Sequence, residues 1–295
     1  MTRPSASNLK PLLLHSAPAT TAEALQAARA RLAATSQNPR RDAEVLLAHL
    51  LGCDQVALAT HPERVLSPAK AGQYERLVRR RLAAEPVQYI IGVQEFFGLP
   101  FEVSPAVLIP RPETEHLVEA VLERFHRDSD AHIIDVGTGS GAIAVALAHA
   151  LPRAHLTAID LSPAALEVAR RNARRNGVAE RVTLLHSDLL AGVDGAEVDA
   201  VVSNPPYVAA SEVLEPQVAE YEPPSALFAG PTGLEIYERL IPQAGRVLKP
   251  EGWLMLEIGY GQSAALERLL NPWRDVTFLE DLRGIPRVVV AKRSV

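Results

Sequence analysis

From Ile133 to the end of the chain, short apolar runs alternate with segments of helical spacing, and this alternation narrows the fold more than any other feature. Residues 133–136, 155–159, 182–185, 198–202, 253–258, 276–279 and 288–291 read as strands. Residues 142–151, 163–176, 234–247 and 263–270 read as helices between them. The second of these has Ser162 as cap, Pro163 in its first turn and Gly177 just beyond its end, the residue types that start and stop a helix. Strands interleaved with helices predict an α/β fold: a doubly wound, mainly parallel sheet with helices on both faces.

Upstream the period differs. Residues 1–20 are rich in Pro, Ser, Ala and Thr and predict a flexible tail. Over residues 21–85, Leu25, Ala28 and Leu32, then Val45, Leu46, His49 and Leu50, then Leu77, Val78 and Leu82 recur at helical spacing. Pro39, Gly52 and Pro62 separate these runs, which predicts a small helical bundle. Residues 86–112 change period: Phe96, Phe97, Leu99, Phe101 and Val103, broken by Gly98, Pro100 and Pro105, predict a β-hairpin linker. A helix restarts at about Thr114, and residues 113–295 carry the alternating pattern.

Composition excludes several classes of function. No apolar run approaches the roughly 18 residues of a membrane helix, and residues 11–15 are too short an apolar stretch for a signal peptide. A single cysteine, Cys53, excludes an intramolecular disulfide and fits a reducing cytoplasm; among Leu50, Leu51 and Val56 it reads as a small buried hydrophobe. The nine histidines are scattered, so no metal site is expected. Residues 1–90 hold 12 Lys and Arg against 7 Asp and Glu, a net +5; the remainder holds 18 against 28, a net −10. A part at −10 is a poor binder of nucleic-acid phosphates, so no direct nucleic-acid contact is expected.

The run Asp135-Val136-Gly137-Thr138-Gly139-Ser140-Gly141-Ala142 sits between the first strand and the first helix of the alternating part. Its glycines allow a tight turn and close approach of a ligand to the backbone. Formally it meets the dinucleotide pattern of nicotinamide and flavin enzymes. Asp135 argues against them, because a carboxylate beside the turn repels a pyrophosphate and suits a ligand bearing an ammonium and a sulfonium, such as S-adenosylmethionine. Asp160 ends the second strand, where an acid accepts hydrogen bonds from ribose hydroxyls. Asp188 follows the third strand and is placed to accept from an adenine amino group.

The stretch Asn204-Pro205-Pro206-Tyr207 follows the fourth strand. Its prolines fix the backbone, and each holds the residue before it extended. Two rigid acceptors, the Asn204 side-chain oxygen and the Pro205 carbonyl, can hold the two N–H bonds of a planar amino group for methyl transfer. The Tyr207 ring can stack on that group. By itself this motif does not say whether adenine, guanine or a glutamine side chain carries the nitrogen.

With these motifs the chain resembles the glutamine methyltransferases that modify translation release factors, the PrmC/HemK family. The resemblance runs through residues 41–47, 85–92, 97–99 and 108–115, the Gly-rich loop, Asn204 to Tyr207, Tyr221-Glu222-Pro223 and Phe228-Ala229-Gly230. It implies a Rossmann-like class I methyltransferase sheet in residues 113–295, and a helical domain in residues 21–85 that docks the partner. The implied substrate is the glutamine of the Gly-Gly-Gln motif of class I peptide chain release factors, with S-adenosylhomocysteine as the other product. The resemblance also implies cofactor contacts from Gly137, Thr138, Gly139, Ser140, Gly141, Asp160, Asp188, Leu189 and Asn204, and substrate contacts from Asn204, Pro205, Pro206 and Tyr207. A ribosomal-protein glutamine or a nucleic-acid amino group is the alternative substrate. Arg111 has two readings: a surface pair with Glu113 or Glu115, or a tether for a loop on the substrate side.

Overall fold

The computed structural model describes residues 20–193, 195 and 197–294. The tail expected over residues 1–20 therefore lies, Thr20 apart, outside the described residues. The chain divides into two compact units between Ile91 and Gly92.

The first unit is helical: α1 (Thr21–Leu32), α2 (Pro39–Leu51), α3 (Gln55–Thr60), α4 (Pro68–Leu82) and α5 (Val87–Ile91). The Thr20 hydroxyl and the Glu23 carboxylate cap the start of α1 reciprocally, and Gly52 ends α2 in the left-handed conformation. Leu32, Leu46, Leu47, Leu66 and Val78 form its core. Helix α5 corrects the expectation that the hairpin segment starts at residue 86. Val87, Ile90 and Ile91 fall at helical spacing and pack into this core, and the amides of Tyr89 and Ile90 turn back to the Pro86 carbonyl.

The second unit opens with the hairpin, β1 (Val93–Phe96) and β2 (Leu99–Glu102), closed by Phe97 and Gly98, both at positive φ. Then follow α6 (Glu115–Leu122), β3 (His132–Val136), α7 (Ala142–Ala150), β4 (His155–Asp160), α8 (Pro163–Arg175), β5 (Val182–His186) and β6 (Val198–Ser203). A segment with the small elements β7 (Val208–Ala209), α9 (Pro216–Ala219) and β8 (Phe228–Gly230) leads to α10 (Glu235–Val247) and β9 (Leu248–Glu257). The chain ends with α11 (Ser263–Leu269), β10 (Arg274–Glu280) and β11 (Pro286–Lys292).

Seven strands form one sheet in the order β10-β11-β9-β6-β3-β4-β5. The five from β9 to β5 are parallel; β11 is antiparallel to both neighbours. Both faces are covered, as the near-continuous apolar strands require. Ile133, Ala200, Val202, Met255, Val288 and Val290 face α6 and α7, whereas Ile134, Val201, Leu254, Leu256 and Val289 face α10 and α11. Among the described residues no helix is long and apolar enough to cross a membrane.

The strand order reverses between β3 and β6, since the chain runs outward from β3 through β4 to β5 and then returns to β6 on its other side. Ligands of such sheets bind at the carboxyl ends of the strands flanking this reversal. Helix α7 fixes the loop after β3 through an almost wholly buried body, with Leu147 at 0% exposure among its contacts. Leu147→Ala should therefore cost about 2–5 kcal/mol, read as a lower urea midpoint with an unchanged m-value.

Candidate active site

The site is assembled at the ends of β3 and β6. Val136 and Ser203, the last residues of these strands, are in register, and the Ser203 hydroxyl donates to the Val136 carbonyl at 2.7 Å. This places the Gly-rich loop next to Asn204.

Gly137, Gly139 and Gly141 all have positive φ, and no atom stands within 4 Å of a Cβ built on Gly137 or Gly139. Gly141 is different: its Cβ would lie 3.1 Å from the Ala169 side chain, so this glycine lets α7 meet α8. Asp135 is fully buried beneath the loop; its Oδ2 accepts from the Thr138 hydroxyl at 2.6 Å and the Ala144 amide at 3.2 Å. Its Oδ1 is buried without a partner. Burial raises the carboxyl pKa from 3.8 to about 7, opposed by those two hydrogen bonds. Thr138 spends its hydroxyl on Asp135, and the Ser140 carbonyl accepts from Asn172 at 2.8 Å.

Asp160 ends β4 and accepts from the Gly139 amide through Oδ2 and the Ser162 amide through Oδ1, both at 2.8 Å. Burial raises its pKa against those backbone donors. Each carboxylate oxygen retains capacity for another donor. Asp188 lies two residues past β5 and pairs with Arg239 at 2.6 Å, both side chains half-exposed. Leu189 beside it has φ +52°. No hydrogen bond connects Asp188 to the Gly-rich loop; what joins its segment to the site is the neighbouring Ser187 amide, which donates to the Asp160 carbonyl at 3.2 Å.

Asn204, Pro206 and Tyr207 are half-buried and Pro205 is buried. The Asn204 Nδ2 donates to the Thr114 hydroxyl at 3.0 Å, which fixes the amide and leaves Oδ1 as its acceptor. The Tyr207 hydroxyl donates to Glu257 Oε1 at 3.4 Å, and its carbonyl accepts from Gln262 Nε2 at 3.1 Å. Burial raises the Tyr207 pKa well above 10, reinforced by the Glu257 charge, so the ring stays neutral.

Arg111 pairs with neither Glu113 nor Glu115. Its guanidinium meets Glu222, whose other oxygen accepts from the Ile109 amide at 3.1 Å. Glu222 follows the Asn-Pro-Pro-Tyr motif, so this contact ties the segment after the motif to residues 109–111. Glu115 instead accepts from the Phe97 amide at 2.9 Å.

Thr114, Asn172, Glu257 and Gln262 are the contributors that sequence reasoning missed. Glu257 had a signal: like Asp135 and Asp160, it is an acid closing an apolar strand. Thr114, Asn172 and Gln262 had none, because their partners lie far away along the chain.

Two family models match the chain: the PrmC N-terminal domain over residues 23–92 and the methyltransferase small domain over residues 114–220. A release factor glutamine methyltransferase of Koribacter versatilis is 47% identical over 264 residues, 88% of this chain and 94% of that one. The chain belongs to the release factor glutamine methyltransferase family. A second member, from Moorella thermoacetica, is 47% identical over 276 residues, covering 92% and 98% of the two chains. Among solved structures, the 16S rRNA N2 G1207 methyltransferase of T. thermophilus has a TM-score of 0.51 at 19% identity, over 68% of this chain and 49% of that one. At that identity the likeness is one of fold. The resemblance seen in the motifs is thus borne out as family membership.

Within this family member, the Arg111–Glu222 contact carries a stability prediction. Arg111→Ala leaves a buried carboxylate with only the Ile109 amide to satisfy it. The expected loss is about 1–3 kcal/mol in urea unfolding, and Glu222→Gln, which still accepts from Ile109, should lose less.

Proposed function

We propose that this protein transfers a methyl group from S-adenosylmethionine to the side-chain amide nitrogen of the glutamine in the Gly-Gly-Gln motif of class I release factors. The reaction leaves S-adenosylhomocysteine, uses no metal, and takes place in the cytoplasm in support of translation termination. The observation that carries this reading is the fixed Asn204 amide, whose oxygen is left as an acceptor one residue from the Pro205 carbonyl.

The residues around the Gly-rich loop fit the cofactor. Open space over Gly137 and Gly139 is where side chains would obstruct a ligand. The unpartnered Asp135 Oδ1 suits a cationic group, and Asp160 has acceptor capacity for hydroxyls. Gly137, Thr138, Gly139, Ser140, Gly141, Asp160, Asp188, Leu189 and Asn204 would hold it, Thr138 through its backbone because its hydroxyl is engaged. When bound, the cofactor supplies a methyl group made electrophilic by its sulfonium.

The protein acts on the other reactant. A primary amide nitrogen is planar and its lone pair is delocalised into the carbonyl, so it is a poor nucleophile. Acceptance of its two N–H bonds by Asn204 Oδ1 and the Pro205 carbonyl holds it in place and favours the pyramidal geometry of attack. Because the prolines fix both acceptors, little reorganisation accompanies the reaction. Pro206 and Tyr207 would form the surface on which the flat amide lies. A strong base is unnecessary, since the nitrogen becomes acidic once alkylated and then releases its proton. The helical unit, residues 21–85, would dock the release factor, with neither membrane nor nucleic acid required.

Incubation with S-adenosylmethionine and an unmethylated class I release factor should add one methyl, mapped by mass spectrometry to the Gly-Gly-Gln glutamine. A factor left unmodified while a ribosomal protein or RNA is methylated would overturn the substrate assignment. Asn204→Ala should lower kcat by about 10²–10³-fold, the scale for loss of one preorganised hydrogen-bonding group. Asp160→Ala should instead raise the Kd for the cofactor about 10–100-fold, as loss of a charge-assisted hydrogen bond implies, measured by calorimetry.

A further inference from the structure

The prolines of the Asn-Pro-Pro-Tyr motif leave one member of it unfixed. Each proline sets its own φ and holds the residue before it extended, so the restraint covers Asn204, Pro205 and the φ of Pro206. It does not reach Tyr207, whose ring would lie under the substrate amide. That residue is gripped instead by the turn between β9 and α11, at three points. Gln262 Nε2 donates to the Tyr207 carbonyl at 3.1 Å. Gly259 lies so close to the ring that a Cβ there would stand 3.0 Å from Tyr207 Cδ2. Glu257 Oε1 accepts from the Tyr207 hydroxyl at 3.4 Å, the weakest of the three contacts.

Gln262 does more than hold Tyr207. Its Nε2 also donates to the Gly233 carbonyl at 3.2 Å, and its Oε1 accepts from the Gly259 amide at 2.9 Å. The orientation of this side-chain amide is unambiguous, since a carbonyl can only accept and a backbone N–H can only donate. Tyr207 and Gly233 are the entry and exit of residues 208–232, so one side chain clasps both ends of the segment that follows the motif. Gly233 completes the clasp: its φ is +82°, and a Cβ would fall 2.5 Å from the Tyr207 carbonyl oxygen. A side chain there would push that oxygen away.

We propose that Gln262 is a positioning residue for methyl transfer: by donating to Tyr207 and Gly233 together, it closes the neck of residues 208–232 and holds the Tyr207 ring against the substrate glutamine amide. The inference rests on the role given to the Asn-Pro-Pro-Tyr motif above. Two donors and one acceptor are needed in a single planar group, and asparagine, with the same group, is one methylene short. Glutamate keeps the acceptor and loses both donors, whereas methionine keeps the length alone. Without the clasp Tyr207 is free to turn about its backbone. The substrate amide then loses the surface that aligns it with the acceptors of Asn204 and Pro205. A misplacement of about 1 Å can lower a rate on the order of 10²-fold. Cofactor binding is spared, because none of these contacts involves the Gly-rich loop or Asp160.

The test uses the full-length protein with S-adenosylmethionine and unmethylated class I release factor. The rate is expressed per cofactor-binding site counted by calorimetry, so that unfolded molecules do not enter. Gln262→Glu and Gln262→Met should each lower kcat about 10–100-fold, with the cofactor Kd unchanged and the release-factor KM altered far less. Gln262→Glu retains the bond from Gly259, so a residue that served only the start of α11 would tolerate it. Gly233→Ala, which drives a Cβ into the Tyr207 carbonyl, should reproduce the kcat loss. Gly177→Ala introduces similar backbone strain, with φ +71° and nothing within 4 Å of its Cβ, and should keep kcat. The glycine pair decides the matter if the Gln262 variants do not fold. Wild-type kcat in Gln262→Glu or in Gly233→Ala, or equal losses in Gly233→Ala and Gly177→Ala, would overturn the inference while an active wild type and an impaired Asn204→Ala upheld the functional reading. No methylation by the wild type would overturn that reading, and this inference with it.

Discussion

The parallel pairing of β3 with β6, locked at its end by the Ser203 hydroxyl on the Val136 carbonyl, is the constraint on which the site depends. Asn204 lies 63 positions beyond Gly141, the end of the Gly-rich loop, and only this pairing makes them neighbours. Both strands are buried on both faces, so a slip of one residue would exchange every side chain between the two cores. The register is therefore held by the packing of the whole domain, and the site inherits its precision.

Acids that are buried (Asp135, Glu222) or half-buried (Asp160) then organise the loops that this pairing brings together. Asp135 pins the Gly-rich loop through Thr138 and Ala144, Asp160 holds Gly139 from the next strand, and Glu222 ties the segment after the motif back to Ile109 and Arg111. In each case a carboxylate accepts from backbone amides or fixed side chains, so desolvation is offset by hydrogen bonds that also remove freedom from a loop. Asp135 and Glu257 depart from that pattern, each keeping one buried oxygen without a partner. Both stand at the carboxyl ends of strands beside the site.

Much of the architecture was legible in the chain itself. Apolar alternation marked all seven strands of the large sheet, and the cap at Ser162 with Gly177 beyond bracketed α8 within a residue or two. The hairpin was also visible, but its start was not, because Val87, Ile90 and Ile91 are β-branched residues that here obey a helical period. Local preference for strand was overridden by burial against α2 and α4. The short pairing of β7 with β8 left no trace, since two- and three-residue strands carry no periodicity.

What the sequence determined by itself was the set of chemically committed short motifs: the glycines, which readily take up positive φ at the loop, and the two prolines, which hold Asn204 and Pro205 extended regardless of context. Those are properties of adjacent residues and need no fold to be stated. Partner choice was decided only by tertiary structure. Arg111 faces Glu113 and Glu115 along the chain yet meets Glu222, and Asp188 meets Arg239. The orientation of the Asn204 amide is set by Thr114, ninety residues away. Charges and hydrogen-bonding groups act through space, and which of them share a buried, low-dielectric pocket is fixed by strand order and register rather than by distance along the chain.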